Sequence, residues 1–339
     1  MRPWAFIGLS VALLALAAGP GRAGGTALQE PEVRLVVLLL RGWNSTSTDE
    51  TFPSLAPALE RVGTAPQVNP AVRVEYYSYR YPEPSYTRCD TNQSITTSAA
   101  VLQQQLQDLA SRYPSARFLL VGHSLGGVIA VHWAVAEGTP ELLTRTAAIV
   151  TFDSPLQGIG EIPPEIRDVV LSWLRAQLCY DPRVLEELDP TRPDSPLAAL
   201  RQAPEKLAAH GGRLYTAASR DDLSIAWQAA VLPGAEARVF TPGVCPDWAA
   251  LTATVPALAP EVHATDWTRA RAQLMALPPS SQQRFLQRFA ACVQTSHRNV
   301  LRDPQAVDWL VEIAQHALAA AAPRPTAQPA PTPPGMQPE

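Results

Sequence analysis

The sequence predicts an α/β protein built on a mostly parallel sheet covered by helices. Two observations carry that prediction: short apolar or β-branched runs recur along the chain, and helix-like segments separate them. A third is that runs such as Leu35-Val36-Val37-Leu38-Leu39-Leu40 are continuously apolar, as in strands buried on both faces.

Met1-Arg2-Pro3 and the apolar residues 4–18 pair a short basic start with a core too short to span a bilayer comfortably. That is the pattern of a secretory signal peptide occupying residues 1–23, with cleavage at Ala23 or Ala27 and an uncleaved anchor as the alternative. Residues 33–40 form the first expected strand, 52–62 a short helix, and the β-branched and aromatic run 72–79 a second strand. Over residues 95–113, Ala99, Leu102, Leu106 and Leu109 fall at helical spacing. Residues 116–121 read as a buried strand and 128–135, without Gly or Pro, as the helix packed behind it. Further strands are expected at 147–152, 213–218 and 237–241, and a final helix at 306–319. Residues 322–339, rich in Pro, Ala, Thr and Gln, read as a disordered tail.

Composition narrows the function classes. The 339 residues carry 27 Lys and Arg against 31 Asp and Glu, a formal net charge of -4, and Lys206 is the only lysine. Phosphate binding depends on clustered Lys and Arg, so nucleic acid is not an expected partner. Four cysteines, Cys89, Cys179, Cys245 and Cys292, form an even set that suggests disulfides in an exported chain. Three complete pairings are open; the expected one joins Cys89 to Cys179 and Cys245 to Cys292. The spacing lacks the close pairs of a zinc site, so neither a metal nor another cofactor is expected.

The chemistry centres on Val121-Gly122-His123-Ser124-Leu125-Gly126-Gly127, which joins an expected strand to an expected helix. A serine hydroxyl attacks well only when exposed, unencumbered and touched by a base, and a sharp turn flanked by Gly122 and Gly126 meets the first two needs. His123 is too close along the chain to turn back onto Ser124 and reads as a packing or orienting residue; His132 reads as packed on the helix.

With this turn in its strand–helix context, the chain resembles the α/β-hydrolase superfamily, and within it bacterial lipases and esterases, over residues 33–320. The resemblance implies an α/β-hydrolase domain; residues 156–212, which separate two expected strands and contain an amphipathic candidate at 166–178, read as a helical cap, with packing material outside the sheet as the alternative for this and the later insertion. A second helical insertion is expected at 244–296, with helices near 267–277 and 281–293. It also implies the order nucleophile, acid, histidine. Ser124 is then the nucleophile. Asp221, in Ala218-Ser219-Arg220-Asp221-Asp222-Leu223, fits the lipase pattern of serine, any residue, aspartate, any residue, aliphatic; Asp222 stays open as its rival. His297 precedes Asp303-Pro304 and the final helix, as the family's histidine loop does, with His263 and His316 as alternatives; His210 precedes the acid and is disfavoured.

The oxyanion hole implied by the resemblance uses the backbone amides of Leu125 and Trp43, with Asn44 as an alternative. Arg41-Gly42-Trp43-Asn44 departs from the His-Gly of many relatives, and Arg41 is equally readable as a structural ion-pair residue. Asp153-Ser154-Pro155-Leu156-Gln157-Gly158 resembles a lipase segment and is expected to line the pocket. The implied activity is a secreted, monomeric, cofactor-free hydrolase of small-molecule or lipid carboxylic esters, working through an acyl-serine and touching lipid interfaces transiently. Thioesterase, amidase or peptidase chemistry on the same triad, and a non-catalytic binding protein on the same scaffold, are the competing readings.

Overall fold

The computed structural model describes residues 32–62, 71–159, 183–258 and 266–321, all within one compact unit, 31–339. Every expected strand forms. In chain order they are β1 (Leu35–Leu40), β2 (Val72–Tyr76), β3 (Arg117–His123), β4 (Thr146–Phe152), β5 (Arg213–Ser219) and β6 (Glu236–Phe240). They make one parallel sheet in the order β2-β1-β3-β4-β5-β6. The helices among the described residues are α1 (Leu55–Glu60), α2 (Ile95–Arg112), α3 (Leu125–His132), α4 (Pro140–Arg145), α5 (Arg183–Glu187), α6 (Leu197–Leu200), α7 (Ala203–Ala209), α8 (Trp227–Ala230), α9 (Trp248–Thr254), α10 (Trp267–Met275), α11 (Pro279–Asn299) and α12 (Pro304–Ala320).

The continuous apolar pattern of β1 has its cause in this layering. Val36, Leu38 and Leu40 point into a core shared with α2 and α3, whereas Leu35, Val37 and Leu39 point into a second core under α1 and α12. All six are fully buried. Period-2 alternation places both sets inside, so polar residues have no place along this strand. α3 is buried on every side, which is why its sequence shows no polar face. On the opposite face Trp309 of α12 meets the rings of Phe152, Tyr215 and Phe240 at centroid distances of 6.4, 5.9 and 5.9 Å.

The register aligns the strand ends that carry the chemistry. Leu40 pairs with Gly122, His123 with Phe152, and Phe152 with Ala217. The turns after β1, β3, β4 and β5 therefore emerge side by side at the carboxyl edge. The strand order reverses between β1 and β3, the position where open parallel sheets form a crevice.

The described part of the first insertion packs onto the sheet, with Val184, Leu188, Leu197, Leu200, Ala203 and Leu207 joining the core around α3. The second insertion has its own small core, which includes Trp248, Leu251, Leu274, Phe285 and Cys292. It is crossed by the expected Cys245–Cys292 disulfide. One element differs from expectation: the helix read at 281–293 continues to Asn299 as α11, so His297 stands in a last helical turn and not in a loop. Pro279 sits at its start, and no Gly or Pro interrupts it before Asp303-Pro304 opens α12. The expected signal segment, the helix at 166–178, Cys179 and hence the Cys89–Cys179 pair, His263 and the tail lie outside the described residues.

Candidate active site

Ser124 occupies the turn between β3 and α3 with φ 55 and ψ -129, a conformation that costs an L residue about 1–3 kcal/mol. It is half-buried in a stretch that is otherwise buried. Close approach of the chain enforces the neighbouring glycines: a side chain on Gly126 would run into the Leu40 carbonyl, and one on Gly122 into the backbone of Gly127. Gly42 reaches the same point from β1, since a Cβ there would lie 2.6 Å from Ser124 Cβ and 3.1 Å from its Oγ. Among the described residues, the non-glycine residues with positive φ are Asn44, Ser124 and Asp153. All three stand at the carboxyl edge, so backbone strain is concentrated where β1, β3 and β4 converge.

The aspartate that meets His297 is not the one the sequence favoured. His297 Nδ1 lies 2.6 Å from Asp222 Oδ2, and Asp222 is fully buried whereas the His297 side chain is 15% exposed. Asp221 turns away: its Oδ2 accepts the Gly243 amide at 2.8 Å, bracing the turn after β6. Asn299 braces the same turn from α11 by donating to the Gly243 and Val244 carbonyls. Which of two adjacent aspartates faces inward is decided by how the chain leaves β5. Here Ser219 Oγ accepts the Asp221 amide and Ser296 Oγ accepts that of Leu223, so Asp222 faces His297.

These bonds also fix tautomers. A carboxylate only accepts, so His297 donates from Nδ1 and its Nε2 is left as the basic nitrogen. His123 Nε2 lies 2.7 Å from the His297 carbonyl, which only accepts, so His123 donates there. The two rings lie 4.6 Å apart between centroids. Burial, and then the charge of a protonated His297, hold the His123 pKa well below its ordinary value. His123 is thus a neutral brace that ties the turn bearing Ser124 to the helix bearing His297.

Asp153, expected only to line the pocket, is the residue whose importance the sequence reading missed. It is fully buried; one oxygen accepts the Ser219 amide at 2.6 Å, and among the described residues Oδ2 has no partner. Ligand atoms of Asp153, Asp222 and His297 lie within 4.8 Å of one another. That is a donor set in principle, but Asp222 and His297 already engage each other. Burial, reinforced by the charge of Asp222, drives the Asp153 pKa well above the carboxylate range, against a smaller opposing pull from the Ser219 amide.

The turn after β1 is held rigidly by the segment that follows β2. Asn44 donates its amide to Thr91 Oγ1 at 2.9 Å, the Trp43 indole donates to Asn92 Oδ1 at 2.6 Å, and Tyr79 donates to the Arg41 carbonyl at 2.9 Å. The amide of Asn44 is therefore engaged. Arg41 is structural: its Nε donates to the Asp49 carbonyl at 3.0 Å and its guanidinium lies 4.5 Å from the centre of the Tyr76 ring. His316 is exposed on α12. His132 is buried and 3.4 Å from Thr96 Oγ1, and His210 Nδ1 contacts the Lys206 carbonyl.

Residues 42–165, from the turn after β1 through the serine turn and β4 into the first insertion, match the family model described as lipase (class 3). No curated protein matches the chain. Similar solved structures include a lipase from Bacillus licheniformis, 14% identical, with 62% of this chain and 84% of that one covered at a TM-score of 0.44. A metagenomic carboxyl esterase is 14% identical over 81% of this chain and 82% of its own, at 0.38. A bromoperoxidase from Bacillus anthracis is 18% identical over 63% and 86%, at 0.39. The parallel sheet and the strained serine between its third strand and the following helix are the architecture of an α/β-hydrolase fold, and the lipase (class 3) match covers residues 42–165 of it.

Proposed function

We propose that the protein is a serine hydrolase of carboxylic esters, acting on lipids or other acyl esters through an acyl-serine, with Ser124, His297 and Asp222 as its triad. The observation that carries this reading is the His297–Asp222 hydrogen bond, made by the turn after β5 and a helix that His123 ties to the Ser124 turn. The lipase match over 42–165 supports an ester of lipid type.

In this mechanism His297 Nε2 accepts the hydroxyl proton as Ser124 Oγ attacks the ester carbonyl, and the buried Asp222 stabilises the imidazolium that forms. The amides of Leu125 and Trp43 receive the oxyanion. Asn44, whose amide already bonds Thr91, is the weaker candidate. The imidazolium returns the proton to the departing alcohol; water then attacks the acyl-serine by the same route and releases the acid. The same reading takes the protein to an oxidising compartment, supported by the apolar segment within residues 1–23 and by the Cys245–Cys292 disulfide.

The test is hydrolysis of short- and long-chain p-nitrophenyl esters by the purified protein and its Ser124→Ala variant. The variant should lose about five to six orders of magnitude in kcat, down to background, and the chain-length preference would describe the pocket. Equal rates in the two proteins would sink the reading.

A further inference from the structure

Asp153 is the one buried carboxyl at this site with no step in the reaction just described. It ends β4 with φ 43, a strained conformation, and is wholly inaccessible. Its one hydrogen bond, from the Ser219 amide, could be accepted equally well by an asparagine, which would carry no penalty for a buried charge. What an asparagine cannot do is ionise. The unpartnered Oδ2 and the grouping with Asp222 and His297 inside 4.8 Å give that ability an object.

We propose that Asp153 is the reserve acid of this site: a positioning carboxyl, set beside Asp222 under His297, that takes up the negative charge beneath the imidazole whenever Asp222 lacks it. The inference rests on the serine-hydrolase reading above. Among the described residues, the groups that face Asp153 are Asp222 from the turn after β5 and His297 from α11, with the His123 ring of β3 tilted against that of His297. Two carboxylates this close cannot both ionise readily, so the pair holds one charge and one proton. With Asp222 charged, burial and that charge keep the proton on Asp153. With Asp222 removed, the repulsion vanishes while burial remains; the positive charge that forms on the imidazole then opposes burial, so Asp153 can release its proton to solvent and its carboxylate stabilises the imidazolium. The interatomic limit of 4.8 Å means that a direct bond to His297 needs a shift of at most about 2 Å, into space that Asp222→Ala vacates.

The experiment compares the native protein, Asp153→Asn, Asp222→Ala and the double variant by thermal melting, by kcat as a function of pH, and by infrared absorption of protonated carboxyl groups. Loss of Asp153 should reduce kcat at least tenfold more in the Asp222→Ala background than in the native one. Residual activity of Asp222→Ala should rise with pH as Asp153 ionises, and more steeply than that of the double variant, which lacks this carboxyl. Coincident pH profiles for Asp222→Ala and the double variant would overturn the proposal.

Should the double variant fail to fold, the spectra decide. A protonated carboxyl present in the native protein at neutral pH should give up its proton at a lower pH in Asp222→Ala. Its absence from the native protein, or an unchanged titration in Asp222→Ala, would overturn the proposal. The spectra need no turnover, so a Ser124→Ala variant that keeps full activity would defeat the hydrolase reading without deciding the ionisation of Asp153.

Discussion

At the scale of single residues, the adjacent aspartates after β5 offer the sharpest contrast. Asp222 is buried against His297, whereas Asp221 braces Gly243. Asp222→Asn should lower kcat by more than about a hundredfold, since it both deletes the charge and disturbs the tautomer. Asp221→Asn should cost about 1 kcal/mol of stability and leave kcat close to native; a larger catalytic loss in Asp221→Asn than in Asp222→Asn would reverse the assignment. The sequence carried Ser124 and His297 because a nucleophile turn and a histidine before the last helix are local patterns. It did not resolve Asp221 from Asp222, because a one-residue choice in a turn depends on hydrogen bonds from Ser219 and from the distant Ser296. Asp153 was legible as a residue but not as a buried charge site, since its neighbours come from β5 and α11.

At the scale of elements, all six strands were legible and their bounds nearly so, because long apolar runs between helices leave few alternatives. The length of α11 was not: the resemblance favoured a histidine loop, whereas the helix-compatible stretch through Asn299 continues unbroken. The contact between the serine turn and β1 is also a property of the assembled sheet. Gly126→Ala would force its methyl into the Leu40 carbonyl and should destabilise the protein by roughly 1–3 kcal/mol, with kcat falling alongside Tm. An Ala variant with native melting and turnover would show that the two elements can separate cheaply. The Cys245–Cys292 bridge should contribute about 2–4 kcal/mol; replacing both cysteines by serine should lower Tm by several degrees, and an unchanged Tm would show that the bridge is dispensable.

At the scale of the whole molecule, two buried groups give opposite pH dependences. Above about pH 4 the unfolded chain releases the Asp153 proton while the folded protein keeps it, so stability falls as pH rises towards the elevated folded pKa. Below about pH 6.5 the unfolded chain protonates His123 while the folded protein holds it neutral, so stability falls as pH drops towards the depressed folded value. Each slope is at most about 1.4 kcal/mol per pH unit, and in the overlap from about pH 4 to 6.5 the two offset each other. Asp153→Asn removes the first slope, so its Tm relative to the native protein should climb from about pH 4 upward until the elevated folded pKa is reached. Parallel melting curves over that range would show that Asp153 ionises normally.

The long helix that carries His297 has a mechanical meaning as well. Its first residue lies about 27 Å from His297 along the axis, so a 5° swing about that far end would carry the imidazole roughly 2.4 Å, about the length of the bond to Asp222. Cys292 is five residues before His297, and a pivot fixed there shortens the lever arm to about 7.5 Å and the same swing to about 0.7 Å. The crosslink thus works as a bearing: it converts angular play in the insertion into sub-ångström play at the nitrogen that must meet the serine.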